Sequence, residues 1–293
     1  MEVNKPICII DACTLINLMY IDNGDDFLFK KMYHLLSIKI CDKVIEEVRK
    51  NAFVSLNNLT HRVSTENQRI REEKRKFINI KIGELLRYQQ FDNQILEDFG
   101  EDFFAKGKDI FSYTKNNGEF FSSCIALYNS RFNQKKITFY TDDAPAKLEF
   151  QPYFDFEQIG YIEDSVDLIM FIYCHNDDFK KQLLLEYLSE LKSQYNTDLK
   201  KALNTTREYK SNNNDRGIRS ILNEIEHILE KLDFPNFGRL FNDLLIKVQR
   251  KHKEFYTEMM KFKDLSNLQD ANNVVAKSSE YIRILKEKDC YKI

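Results

Sequence analysis

Residues 7–20, ICIIDACTLINLMY, decide how the rest of the chain is read. Ile7, Cys8, Ile9 and Ile10 make an unbroken apolar run of strand length. A strand apolar on both faces belongs in the middle of a parallel sheet. Asp11 follows at once, and an apolar, helix-like run, TLINLMY, begins at Thr14. An acid at the carboxyl end of such a strand stands where open α/β sheets place their ligands.

Three more strands are expected around this one. Residues 37–41, SIKIC, alternate in polarity. Asp42 is placed to cap the helix that follows, DKVIEEVRKNAF. Val44 and Val48 share the buried face of that helix, and Glu47 borders it. Residues 137–141, ITFYT, form a third strand that ends in Asp142 and Asp143. Pro145 then suits a helix start or a turn. Residues 156–159 read as the last strand, stopped by Gly160, and residues 165–174, SVDLIMFIYC, as an apolar closing helix.

Between the second and third strands the pattern is harder to read. Residues 22–26 form an acidic turn expected to be exposed. Residues 66–87 are densely charged and read as a long exposed helix or helical pair. That stretch is either a solvated face or an arm touching phosphates through bases such as Arg71, Lys74 and Arg75. Residues 106–117 read as a loop, on Gly107 and the Asn116-Asn117-Gly118 turn signal. Residues 118–132, GEFFSSCIALYNSRF, are helical, with Phe120, Cys124, Leu127 and Tyr128 on one face. Glu119 lies in the first turn, where the helix dipole favours a carboxylate. It heads a strip of small residues, Ser122, Ser123 and Ala126, which leaves room for an ion or a phosphate.

From about residue 176 the texture changes. Leu183, Leu184, Leu188 and Leu191 recur at helical spacing, as do Ile221, Ile225, Ile228 and Leu232. A third apolar helix holds Leu240, Leu244, Ile246 and Val248. Breaks are expected at residues 211–215 and 233–236. The chain therefore divides into an α/β domain, residues 1–175 with a charged insertion over about 51–117, and an all-helical domain, residues 176–293.

Composition narrows the function classes. The 293 residues carry 44 Lys plus Arg against 46 Asp plus Glu, so a basic arm is not the main driver of binding. Only 8 Gly and 4 Pro argue against a turn-rich β fold. The 6 cysteines form no CxxC pair and read as reduced core residues of a cytoplasmic protein. No secretory leader pattern is read at the start, and no apolar run approaches the roughly 18 residues of a membrane helix. The 5 histidines lack metal-like spacing, and neither a phosphate-binding GxxxxGK[ST] loop nor a GxSxG elbow is present.

What remains is acidic. Asp11, Glu47, Glu119 and the Asp142-Asp143 pair all fall at junctions of strands and helices. Carboxyl ends of parallel strands line one edge, so these groups are expected to share a pocket. Clustered carboxylates repel one another, and a divalent cation relieves the strain. Oxygen-only ligands select Mg²⁺ or Mn²⁺ over zinc. Such an ion activates water and stabilises the charge of a phosphodiester under attack.

At these residues the chain resembles the PIN-like nuclease family. The resemblance lies in IIDACTLI at 9–16, VIEEV at 44–48, GEFFSSCIAL at 118–127 and TDDAPAK at 141–147. Residues 156–172 also resemble the family's last strand and closing helix. It covers roughly residues 5–175 and departs from the family in the long insertion between the second and third acids. It implies a three-layer fold around a parallel sheet and a metal-dependent endonuclease. The family's acids fall on Asp11, Glu47 (with Glu46 as the off-register alternative), Glu119 and Asp143, with Asp142 able to share the last role. Thr14 matches a hydroxyl often found near the first acid.

The implied substrate is single-stranded RNA, ahead of DNA. The implied ion is Mg²⁺ or Mn²⁺, held by Asp11, Glu119 and Asp142 or Asp143, with Glu47 orienting water or a second ion. The biology that fits ranges from a toxin or defence effector, silenced by a protein partner, to a non-catalytic scaffold. In either case the helical domain is expected to dock a partner or a second copy. No membrane role is implied.

Overall fold

The computed structural model describes residues 5–22, 26–53, 65–88, 91–111, 113, 115–231, 237–262 and 268–288. Ile7–Ile10 forms β1, and Cys8, Ile9 and Ile10 are fully buried. It pairs in parallel with Ser37–Lys39 (β2) on one side and Ile137–Tyr140 (β3) on the other. Gly160–Glu163 (β4) pairs in parallel with β3, giving the order β2-β1-β3-β4. The chain first moves from β1 to β2, then returns to the other side of β1. That reversal sits between β1 and β3, and in open parallel sheets the crevice at such a point receives the ligand.

Ala12–Ile21 (α1) starts directly after Asp11, whose carboxylate accepts from the Ala12 amide at 2.6 Å. Phe27–Leu35 (α2) and Asp42–Asn51 (α3) flank β2 in the chain. Cys41, not Asp42, occupies the cap position of α3, and Asp42 becomes its first residue. The charged stretch is a single helix, Thr65–Leu85 (α4), followed by a short 3₁₀ turn, Leu86–Tyr88. It is not wholly solvated. Ile78, Ile82 and Leu85 are buried, and α4 packs against α1 and α3.

Two acidic-turn residues belong to the same packing. Asp22 was expected to be exposed but is fully buried, accepting from the amides of Phe27, Leu28 and Phe29 at the start of α2. The Lys81 ammonium is buried too, 2.5 Å from Asp26 and 2.8 Å from Glu84. A charge at that depth persists only when paired. Alternation of charge along a helix does not reveal which one lysine turns inward.

Phe91–Phe99 (α5) and Asp102–Phe111 (α6) lead to Gly118–Asn133 (α7), which packs on β1 and β3. The loop expected from Gly107 is instead the body of α6. Gly107 serves contact: a Cβ there would stand 2.7 Å from Cys124 Sγ. On α7 the expected apolar face is buried, and so are Ser122, Ser123 and Ala126. The small strip is therefore part of a helix enclosed on most sides.

Ala144–Phe156 (α8) follows β3 and packs against β4, and Ser165–Cys174 (α9) follows β4. The last strand was expected over residues 156–159. The helix consumes Phe156, and Gly160 opens the strand instead of stopping it. Gly160 has φ +153°, and a Cβ on it would fall 1.8 Å from the carbonyl oxygen of Ile137. Here glycine marks a close backbone approach inside a sheet, the other meaning of that residue in strands.

The chain folds as two compact units, one through Tyr187 and the other from Leu188. The division falls within Lys181–Ser211 (α10). The second unit continues with Arg216–Lys231 (α11), Phe237–Gln249 (α12), Lys253–Met259 (α13) and Leu268–Glu287 (α14). It has no strand among the described residues. Leu222, Ile225, Phe241, Leu245 and Phe255 lie in its core. The break at residues 211–215 is where one helix ends and the next begins, whereas Leu232 and residues 233–236 lie outside the described residues. Among the described residues no helix is long and apolar enough to cross a membrane, and five cysteines are free thiols, Cys174 exposed.

Candidate functional site

The register of β1 on β3 builds the centre of the site. Ile10 pairs with Tyr140, so the next residues, Asp11 and Thr141, come side by side. The Asp11 amide donates to the Tyr140 carbonyl at 2.9 Å. Thr141 Oγ1 donates to Asp11 Oδ2 at 3.1 Å and accepts from the Asp143 amide at 3.1 Å. One hydroxyl thus ties the acid after β1 to the backbone of the acid after β3. Cys13 Sγ adds a second donor to Asp11 Oδ2.

Glu47 and Glu119 arrive from α3 and α7. Glu47 Oε1 accepts from the Gly118 amide at 3.1 Å. A Cβ on Gly118 would lie 2.7 Å from Glu47 Oε2, so the bare backbone lets the Glu47 carboxylate lie against the start of α7. Glu46 is exposed and pairs with Lys43 on the outer side of α3. Glu119 occupies the first turn of α7, behind Asn117, whose side chain caps the helix at the Phe120 amide. Glu119 Oε2 is buried with no hydrogen-bond partner.

The electrostatics record the convergence. Burial, then the charge of Asp11 and those of Asp143 and Glu47, push the Glu119 carboxyl up to about 8. Burial and the Glu47 charge raise Asp11 to about 6, against the lowering effect of its donors Cys13, Ala12 and Thr141. The phenol of Tyr113, just before α7, is pushed up to about 12 by burial and by Glu119, Glu149 and Asp143, although Asn117 Nδ2 donates to it. Shifts of this kind gather where charged groups share a dry cleft.

The adjacent aspartates part company. Asp143 caps α8, accepting from the Ala146 amide at 2.9 Å while its charge acts on Glu119. Asp142 is buried and turned to other partners: Asn17 Nδ2 at 2.6 Å and both the amide and the hydroxyl of Ser165, where α9 begins. Burial and the charge of Asp164 raise its carboxyl above the usual range.

No family model, curated protein or solved structure matches this chain.

The remaining candidates are spread more widely. Thr14 is fully buried, and the hydroxyl beside Asp11 is that of Thr141. Lys74 is half-buried and donates to the Asp22 carbonyl at 3.1 Å. Arg75 is exposed on α4, and the side chain of Arg71 lies outside the described residues. Cys13, Thr141 and Tyr113 were not singled out from the sequence. The first two were legible in principle, as the residues just beyond two strands whose ends must align.

Whether this set suits a cation can be judged from its donors. Among the described residues no three His, Cys, Asp or Glu side chains stand in metal-holding geometry. The acids act on one another electrostatically without closing round a point. The donor set is nonetheless hard oxygen, with one buried carboxylate oxygen lacking any donor, and that chemistry fits Mg²⁺ or Mn²⁺.

The raised Glu119 carboxyl has a consequence for stability. The folded chain keeps this proton to about 8, while the unfolded chain gives it up near the usual 4.5. Between those values the folded state holds more protons, so stability falls as pH rises. Glu119→Gln is expected to match the wild type below this window and to melt higher above it, by roughly 5 °C. Metal-free thermal melts across the window measure this, and equal melting points at its alkaline end contradict it.

Proposed function

We propose that the N-terminal unit is a PIN-like nuclease domain that hydrolyses phosphodiester bonds in single-stranded RNA with Mg²⁺ or Mn²⁺. The observation that carries this reading is Glu119: a buried carboxylate oxygen without a donor, surrounded by the charges of Asp11, Asp143 and Glu47. A fold gains nothing in stability from gathering four acids and leaving one unsatisfied. A divalent ion and a phosphate are what such a place receives.

In this reading Asp11, Glu119 and Asp143 would hold the ion. Glu47, fixed by the Gly118 amide, would be placed to orient water or to support a second ion. When bound, the ion would supply water activation and charge neutralisation at the phosphorus. The chain's own part is placement. Thr141 and Cys13 set the rotamer of Asp11, the Asn117 cap fixes the start of α7, and Asp143 is held by the first turn of α8. Asp142 joins α1 to α9 through Asn17 and Ser165, a supporting role beneath the ligands.

The test is a cleavage panel of single- and double-stranded RNA and DNA with Mg²⁺, Mn²⁺ or EDTA. Metal-dependent internal cleavage of single-stranded RNA is expected. Cleavage confined to DNA would move the substrate and keep the chemistry. Equal results with metal and with EDTA would end the proposal.

A further inference from the structure

Tyr113 packs on both of the helices that begin with an acid. Its ring lies nearly parallel to that of Phe120 on α7, centroids 6.1 Å apart, and 5.0 Å from Phe150 on α8. Phe111, two residues earlier, meets Phe150 at 5.4 Å and Tyr153 at 5.6 Å on the same helix. Phe111 and Tyr113 are both buried. Glu119 lies in the first turn of α7, and Asp143 caps α8.

Packing alone does not call for the hydroxyl. A ring wedged between phenylalanines could itself be phenylalanine, and a buried phenol usually keeps a partner for its oxygen. The Tyr113 hydroxyl accepts from Asn117 Nδ2 at 2.9 Å. The other end of that amide, Asn117 Oδ1, accepts from the Phe120 amide at 3.4 Å and caps α7. The cap side chain is thus held at both ends, and Glu119 sits in the turn it closes. After burial, the charges of Glu119, Glu149 and Asp143 act on the phenol, so it stands within range of two of the acids assigned to the ion.

We propose that Tyr113 is a positioning residue of the metal site: through Asn117, its hydroxyl holds the first turn of α7, and with it the Glu119 carboxylate, in the arrangement that receives a divalent ion. The inference rests on the metal-dependent reading of the acids. Its cause is preorganisation. Without the tie the turn is looser, and the cost of ordering it falls on the moment the ion binds.

Tyr113→Phe keeps the ring and removes only the acceptor. Asn117 is half-buried, and water can take its freed N–H, so the metal-free melting point should stay within about 2 °C of the wild type. Mn²⁺ affinity of the full chain, measured by calorimetry, should fall about fivefold, the scale of one hydrogen bond. Asn117→Ser keeps a capping oxygen but is too short to reach the phenol, and should show the same loss. The double variant should lose no more than the larger single loss, because both changes cut one link.

Unchanged Mn²⁺ affinity in Tyr113→Phe, or losses that add in the double variant, would overturn the proposal while leaving the metal site standing. So would a lower melting point at unchanged affinity, which would make the hydroxyl structural only. A wild type that binds no Mn²⁺ would overturn the metal reading and this inference with it.

Discussion

Asp11→Asn is expected to abolish metal-dependent cleavage, lowering kcat by at least about a thousandfold, while the protein stays folded. The reasoning has two halves. As a ligand, Asp11 contributes the charge on which the other acids converge, and an amide carries no charge to an ion. As a structural group, Asp11 accepts from the Ala12 amide through Oδ1, a bond an Asn oxygen can keep, and from Thr141 and Cys13 through Oδ2, where an Asn amide nitrogen would instead donate to the Thr141 hydroxyl. Removing its charge also relieves Glu119, which lies under the repulsion of Asp11. The variant should therefore melt no lower than the wild type in the absence of metal. Activity by gel assay and melting by circular dichroism separate the two halves. Undiminished cleavage by a folded Asn variant would remove Asp11, and with it the site, from the mechanism.

Gly160→Val is expected to have the largest effect on stability. The nearest obstacles to a Cβ at residue 160 are backbone atoms of Ile137, the carbonyl oxygen at 1.8 Å and the nitrogen at 2.7 Å. Neither can swing aside as a side chain would. The pairing of β3 with β4 begins at this contact, so relief means separating the strands. A steric conflict with main chain, added to an unfavourable φ, belongs with the rare substitutions that cost more than about 4 kcal/mol. The melting point should fall by about 10 °C or more. Activity should fall with it, since β3 delivers Thr141 and Asp143. A variant melting within a few degrees of the wild type would show that the sheet has slack at this point.

How far the sequence could be read depended on the range of the interaction. β1, β3, α7 and α9 were legible because a strand or helix buried on several sides writes itself as an apolar run. The alignment of acids with strand ends was legible for the same reason. Gly107 and Gly160 were misread because a glycine that admits a neighbour looks, in one dimension, like one that bends the chain. Asp22 and Lys81 were misread because a paired, buried charge has the same letter as a solvated one. That Asp142 turns to Asn17 and Ser165 while Asp143 caps a helix is something adjacency in the chain does not reveal.

The pairing of β1 with β3 joins residues 130 apart. While the ribosome is still making the helices between them, the nascent amino terminus carries Asp11 without Thr141, Glu119 or Asp143 beside it. Its carboxylate is then as acidic as any in solution, and nothing gathers charge for an ion. The site cannot be complete until β3 and the residues just after it have been made and paired with β1. A protein with the chemistry proposed here is thus harmless to its own message until that long loop has closed.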